Sequence, residues 1–151
     1  MQEINIMSKA WQMFLLTVVI GVAAFFTGPQ IWPMSHDVPM PPPNLLPGYM
    51  ALSVVEALAF GFAVAFVVFG WPAIRDLRLG APWLNRMLFV TLAWFMGNWW
   101  IHDNLHMHIG FDMNRLFYIE LGFHMTMLAC GVTLALSLLR LGSHAAAGKS
   151  A

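Results

Sequence analysis

Long apolar runs, separated by short polar or proline-rich stretches, dominate the pattern of the chain. Four of these runs come near the roughly 20 residues that a helix needs to cross a bilayer. They cover about residues 11–27, 49–71, 83–106 and 116–139. The pattern predicts an all-α integral membrane protein. We expect a bundle of four transmembrane helices in a single domain over residues 1–142, with the lipid bilayer as its surroundings and a multi-pass location in the cell membrane.

The segments outside the runs have distinct compositions. Residues 28–47 hold seven of the nine prolines, which indicates an extended loop because proline lacks a backbone donor and fixes φ. Residues 143–151 are small or polar and are predicted to be a disordered tail. The first run could be a signal peptide, but it has no Ala-x-Ala cleavage site and continues directly into Phe25 and Phe26. We therefore favour a retained helix.

Composition agrees with the membrane prediction. The chain is 60% hydrophobic and 9% charged, with a mean hydropathy of +0.70, whereas soluble domains carry about 25% charged residues. The formal net charge is zero, so nothing indicates nucleic acid as a partner. Lys9, the arginines of 75–86 and the basic residues from Arg140 onward share one side in a four-span topology. The positive-inside rule then predicts cytoplasmic termini and an extracytoplasmic proline-rich loop.

Four ionisable residues lie deep inside the predicted spans, while Asp103 and His106 lie nearer the interface. All four deep residues fall in the outer half of the membrane. Each costs about 2.5–3.5 kcal/mol to insert unless it meets a partner, water or a ligand. They sit on three consecutive helices, so we expect their side chains to converge. They are Glu56, His102, Glu120 and His124.

The spacing of these residues suits a metal site. His102 and His106 are four residues apart and so share one helix face, and Glu120 and His124 repeat that spacing. We predict a transition-metal site, copper favoured, with His102, His106, His124 and Glu120 as ligands. Three further residues are predicted either to support the ligands by hydrogen bonds or to be alternative ligands, namely Glu56, Asp103 and His108. Loop contacts to a metal are predicted for His36, Met34, Met40 and Met107, because thioether and imidazole donors together favour copper.

The sequence leaves the chemistry open, and no catalytic residue is assigned. A copper site could serve redox chemistry or metal handling. One alternative is a single haem b in an electron-transfer subunit. Another is a metal-free acid–base enzyme that acts on a lipid-like substrate, and a further one is an accessory subunit of a larger membrane complex. Ala57, Gly61 and Ala65 give the second span a small-residue face that permits close helix contact, either within the chain or in a homo-oligomer.

Overall fold

The computed structural model describes the backbone of residues 2–147 and the side chains of residues 9–141. This part of the chain is 82% helical and has no strands, which confirms the all-α prediction. Four long helices and one short helix follow one another along the chain. They are α1 (Gln2–Ile31), α2 (Leu46–Phe69), α3 (Trp71–Arg75), α4 (Pro82–Ile109) and α5 (Met113–Ala147).

Three of the described helices are long and apolar enough to cross a membrane, over Lys9–Ile31, Leu46–Phe69 and Met113–Leu141. Helix α4, the predicted third span, is not among them. Its 28 residues extend for about 42 Å at 1.5 Å per residue, so its length suffices. Asparagine, histidine and aspartate in its second half make it more polar than the other three helices. The membrane character is supported, whereas the count of four spans is not confirmed.

The observed helices differ from the predicted spans mainly by being longer at their ends. Helix α1 continues through Pro29 to Ile31, because a proline two residues before the helix end disturbs only the final turn. The proline-rich loop is therefore shorter than predicted and covers residues 32–45. A single turn, α3, was not predicted after the second span. Helix α5 continues to Ala147, so the predicted tail begins as helix, while residues 148–151 lie outside the described residues.

Helices α1 and α2 approach each other closely through small residues. A Cβ added at Gly61 would overlap the carbonyl oxygen of Thr17 and lie 2.7 Å from the backbone nitrogen of Gly21. Ala57 and Ala65 on the same face of α2 are fully buried. The small-residue face predicted for the second span is therefore used for packing within the chain.

The long helices pack mainly in a row, in the order α1, α2, α4 and α5. In the part of the chain that the structure describes, α5 takes its main contacts from α4, so the predicted four-helix bundle is not confirmed. The remaining surface of α5 exposes large apolar side chains such as Leu128, Leu138 and Leu139. Such a surface suits contact with lipid rather than with water.

A tight turn places the end of α4 beside the start of α5. Gly110 ends α4 with φ +62°, a conformation that glycine adopts at little cost. Asp112 then caps α5, since its Oδ1 accepts a hydrogen bond from the backbone N–H of Arg115 at 3.2 Å. Three residues thus separate two antiparallel helices. The turn brings His106 of α4 beside Glu120 in the first turns of α5.

Candidate metal centre

The centre is built from two histidines of α4 and one glutamate of α5. The Nε2 atoms of His102 and His106 lie 3.0 Å apart, as their four-residue spacing predicts. The Nε2 atom of His106 lies 2.8 Å from Oε1 of Glu120 across the helix interface. One donor atom from each of these three half-buried residues lies within 4.8 Å of the others. The structure therefore brings together three of the four predicted ligands.

A carboxylate next to His102 fixes how that ring can be used. Oδ1 of Asp103 lies 3.2 Å from Nδ1 of His102. When Nδ1 carries the ring proton and donates it to Asp103, the Nε2 atom of His102 presents a lone pair. That lone pair points towards Nε2 of His106, and Nε2 of His106 in turn contacts Oε1 of Glu120. Electron-rich atoms this close need a proton or a metal cation between them.

His124, the fourth predicted ligand, is not part of this convergence. Its Nδ1 lies 3.1 Å from Oε2 of Glu120, and its side chain is 75% exposed. Residues four apart lie one turn from each other on the same face of a helix. The ring of His124 therefore lies along α5 beside Glu120 rather than opposite α4. Glu120 thus joins two imidazoles, with one carboxylate oxygen on His106 and the other on His124.

Glu56 joins the cluster from α2, through Asp103. The carboxyl groups of these two residues lie close enough to interact. Two facing carboxylates repel each other unless a proton or a cation lies between them. Asp103 therefore takes part in two contacts, one with Glu56 and one with His102. The result is a continuous run of six ionisable groups over α2, α4 and α5, in the order Glu56, Asp103, His102, His106, Glu120, His124.

The remaining candidates lie in or near the proline-rich loop and not at the centre. Nδ1 of His108 lies 2.8 Å from the carbonyl oxygen of Pro33, so an Nδ1–H group can donate to it. The carbonyl oxygen of Met107 accepts a hydrogen bond from the Ser35 N–H at 2.9 Å. The other predicted loop donors are exposed, namely Met34, His36 and Met40. The contacts of His108 and Met107 hold the loop against the end of α4.

Asp37, which sequence reasoning did not single out, completes this attachment of the loop. Its Oδ2 accepts a hydrogen bond from the backbone N–H of Phe111 at 2.8 Å, and the Ser35 hydroxyl donates to Oδ1. The hydrogen bond from Ser35, and then that from Phe111, hold the pKa of Asp37 below its usual value. A Cβ at Gly110 would overlap this carboxylate, so glycine also provides room there. The only signal in the sequence is an acid in a loop and a glycine at a turn.

An apolar groove lies beside the centre, between α4 and α5. The ring of Phe123 is 4.7 Å from that of His102 and stacks on Trp94 at 5.7 Å. The indole N–H of Trp94 donates to the Thr126 hydroxyl at 3.0 Å. The groove has a volume of about 410 Å³ and is lined by Trp94, Tyr118, Ile119, Gly122, Phe123 and Thr126. Phe123 thus lines the groove and also contacts His102.

Comparison with protein-family models, with curated proteins and with solved structures gave no match. Any assignment of function therefore rests on the chain's own geometry and chemistry.

Proposed function

We propose that this protein is a small integral membrane protein that holds a transition-metal ion between α4 and α5. The ligands would be His102, His106 and Glu120. The observation that carries the proposal is the convergence of two imidazole nitrogens and one carboxylate oxygen in a half-buried position between two helices. Each of these groups is costly to insert in hydrocarbon alone, and a shared cation offsets that cost.

The separations between donor atoms are compatible with one ion. Donors that lie about 2.1 Å from a metal and at right angles to each other are about 3.0 Å apart. The observed separations are 3.0 Å between the two Nε2 atoms and 2.8 Å from His106 to Glu120. These two pairs need little movement to bind one ion, whereas the third pair, His102 and Glu120, lies within 4.8 Å and must come within about 4.2 Å. Three protein ligands also leave coordination positions for water or a substrate.

Copper remains our first choice of metal. Two imidazoles and a carboxylate accept Cu²⁺, Zn²⁺ and Fe²⁺, and for such donors the affinity for Cu²⁺ is the highest of the three. The choice rests on the two imidazoles and the carboxylate alone. The site would serve redox chemistry or metal handling. Asp103 would orient His102, and Glu56 would in turn hold Asp103.

The membrane arrangement is part of the same proposal. Helix α4 would be the third of four spans in a multi-pass cell-membrane protein, shielded by α2 and α5 on either side. Both termini would be cytoplasmic, because the basic residues of 75–86 and Lys9 then share one side. The metal centre and the proline-rich loop would lie towards the extracytoplasmic side. The exposed apolar face of α5 would suit lipid, a second copy or a larger membrane complex.

One alternative function has a specific observation in its favour. The run of six ionisable groups beside a groove of about 410 Å³ suits metal-free acid–base chemistry on a lipid-like substrate. Glu120 and His106 would then exchange a proton at the 2.8 Å contact. The haem alternative, held by His102 or His106 of α4 and by His124 of α5, is less favoured, because the ring of His124 is 75% exposed and pairs with Glu120.

Metal analysis of the detergent-purified protein, together with a visible absorption spectrum, tests these functions. We expect about one copper, zinc or iron ion per chain in the parent protein and no Soret band. His102→Ala and His106→Ala should each abolish binding, because each removes one of three donors. His108→Ala is the matched control, since that histidine bonds to Pro33 and should leave the metal content unchanged. A parent protein without metal, or an unchanged content in His106→Ala, would contradict the metal proposal, and a Soret band would support haem.

A further inference from the structure

The short segment between α2 and α4 forms a basic pocket at the opposite end of α4 from the metal centre. The pocket has a volume of about 280 Å³, and three of its lining side chains are Arg75, Arg78 and Arg86. Arg75 is paired with Asp76 at 3.1 Å. Among the described residues, Arg78 and Arg86 are exposed and have no acidic partner. Two guanidinium groups thus remain available beside one that is already paired.

The backbone around this pocket is held in place. The side-chain nitrogen of Asn85 lies within 2.6–3.2 Å of the carbonyl oxygens of Ile74, Arg75 and Leu77. Leu79 is 1% exposed and anchors the segment in the core. Gly80 adopts φ +81°, which a residue with a side chain would adopt only with strain. The arginines therefore extend from a fixed frame and not from a loose loop.

The position of the pocket along the chain places it at the edge of the membrane. The apolar span of α2 ends at Phe69, and the first residue lining the pocket is Trp71. Trp83, in the first turn of α4, is 61% exposed and suits the interface between lipid and water. Phosphate groups of lipids lie at this depth, just outside the hydrocarbon core. Arginine in turn binds phosphate oxygens with two parallel hydrogen bonds.

We propose that this pocket binds the phosphate of an anionic phospholipid headgroup. Arg78 and Arg86 bind the phosphate oxygens, and Arg75 adds to the positive potential while paired with Asp76. Basic pockets between membrane helices recognise anionic headgroups in this way. The pocket is independent of the metal centre, because Arg86 and His102 are sixteen residues, or about 24 Å, apart on α4.

The test measures lipid bound to the full-length protein in detergent. The protein is equilibrated with mixed micelles that contain equal amounts of phosphatidylglycerol and phosphatidylcholine, and the retained lipids are quantified by mass spectrometry. We expect the parent to retain at least fivefold more phosphatidylglycerol than phosphatidylcholine. Arg78→Gln and the double variant Arg78→Gln/Arg86→Gln should lower this preference stepwise towards one. Glutamine keeps a polar, unbranched side chain, although a shorter one, and removes its charge.

Arg115→Gln is the matched control, because Arg115 is an exposed arginine outside the pocket, paired with Asp112 at the start of α5. It should leave the lipid preference unchanged. A parent protein without a preference, or equal losses in Arg115→Gln and Arg78→Gln, would overturn the proposal.

A second arm of the experiment uses inorganic phosphate at 10 mM as competitor. Displacement of phosphatidylglycerol by phosphate in that arm would identify free phosphate as the ligand and would also overturn the assignment to lipid. Circular dichroism of each variant confirms the helical fold, and if the double variant does not fold, the exposed Arg78→Gln change alone decides the result.

Discussion

Asp103→Asn is the substitution that best separates a ligand of the metal from a residue that positions a ligand. The carboxylate lies 3.2 Å from Nδ1 of His102, and its side chain is 45% exposed. Asparagine keeps the shape and the acceptor oxygen, and it removes the negative charge that holds the ring proton on Nδ1. Carboxylates that support a ligating histidine change metal affinity by about 10–100-fold. The long contact and the exposure of Asp103 place its expected effect at the lower end of this range. We therefore expect a loss of metal affinity of about tenfold, or about 1.4 kcal/mol of binding free energy.

Competition between the purified protein and a chelator of known affinity measures this change. Asp112→Asn is the matched control, because Asp112 pairs with Arg115 outside the centre and its change should leave the affinity as in the parent. A loss above a thousandfold would mean that Asp103 is itself a ligand, and an unchanged affinity would mean that it does not orient His102. Because Glu56 reaches the centre through Asp103, the double variant Glu56→Gln/Asp103→Asn should bind no more weakly than Asp103→Asn alone.

Two further predictions address the fold and its orientation. Gly61→Ala should destabilise the protein by about 1–3 kcal/mol or more in thermal unfolding, because the new methyl group meets backbone atoms of α1 that cannot turn away. Gly122→Ala, with nothing within 4 Å of the added carbon, should be at least as stable as the parent, and equal losses in the two variants would disprove the packing argument. Cysteines at positions 35 and 114 should react with a membrane-impermeant thiol reagent in intact cells, and one at position 76 should not. The reverse pattern would place the metal centre on the cytoplasmic side.

The sequence predicted local features of the centre well and contacts between helices less well. The pairing of His102 with His106 depends only on helical repeat, so spacing was sufficient to predict it. The contact of His106 with Glu120 needs the rotation of α5 about its axis, which the turn at Gly110 and the packing against α4 determine. The same spacing rule predicted His124 as a ligand. His124 does share a helix face with Glu120, but it pairs with Glu120 at the surface.

The periodicity of the sequence does not predict the contacts made by the proline-rich loop or by buried polar side chains such as Asn85. His108 is near the other histidines in sequence, yet its ring bonds to Pro33 because the loop folds back over the end of α4. Asn85 carries no pattern at all, and its contacts with three carbonyl groups depend on where α3 ends. Helix boundaries shifted for a related reason. Pro29 and Gly142 are weak helix formers, but they continue helices that are already established, and the three alanines at 145–147 favour helix.

The attachment of α5 to one main neighbour has a thermodynamic consequence. Glu120 belongs to α5 and His106 to α4, so the centre spans the interface that joins α5 to the rest of the row. An ion bound to both residues would favour the docked state over the separated one. At a free metal concentration of one hundred times the dissociation constant, this linkage amounts to about 2.7 kcal/mol. The concentration of free metal would then determine how stably α5 packs against α4.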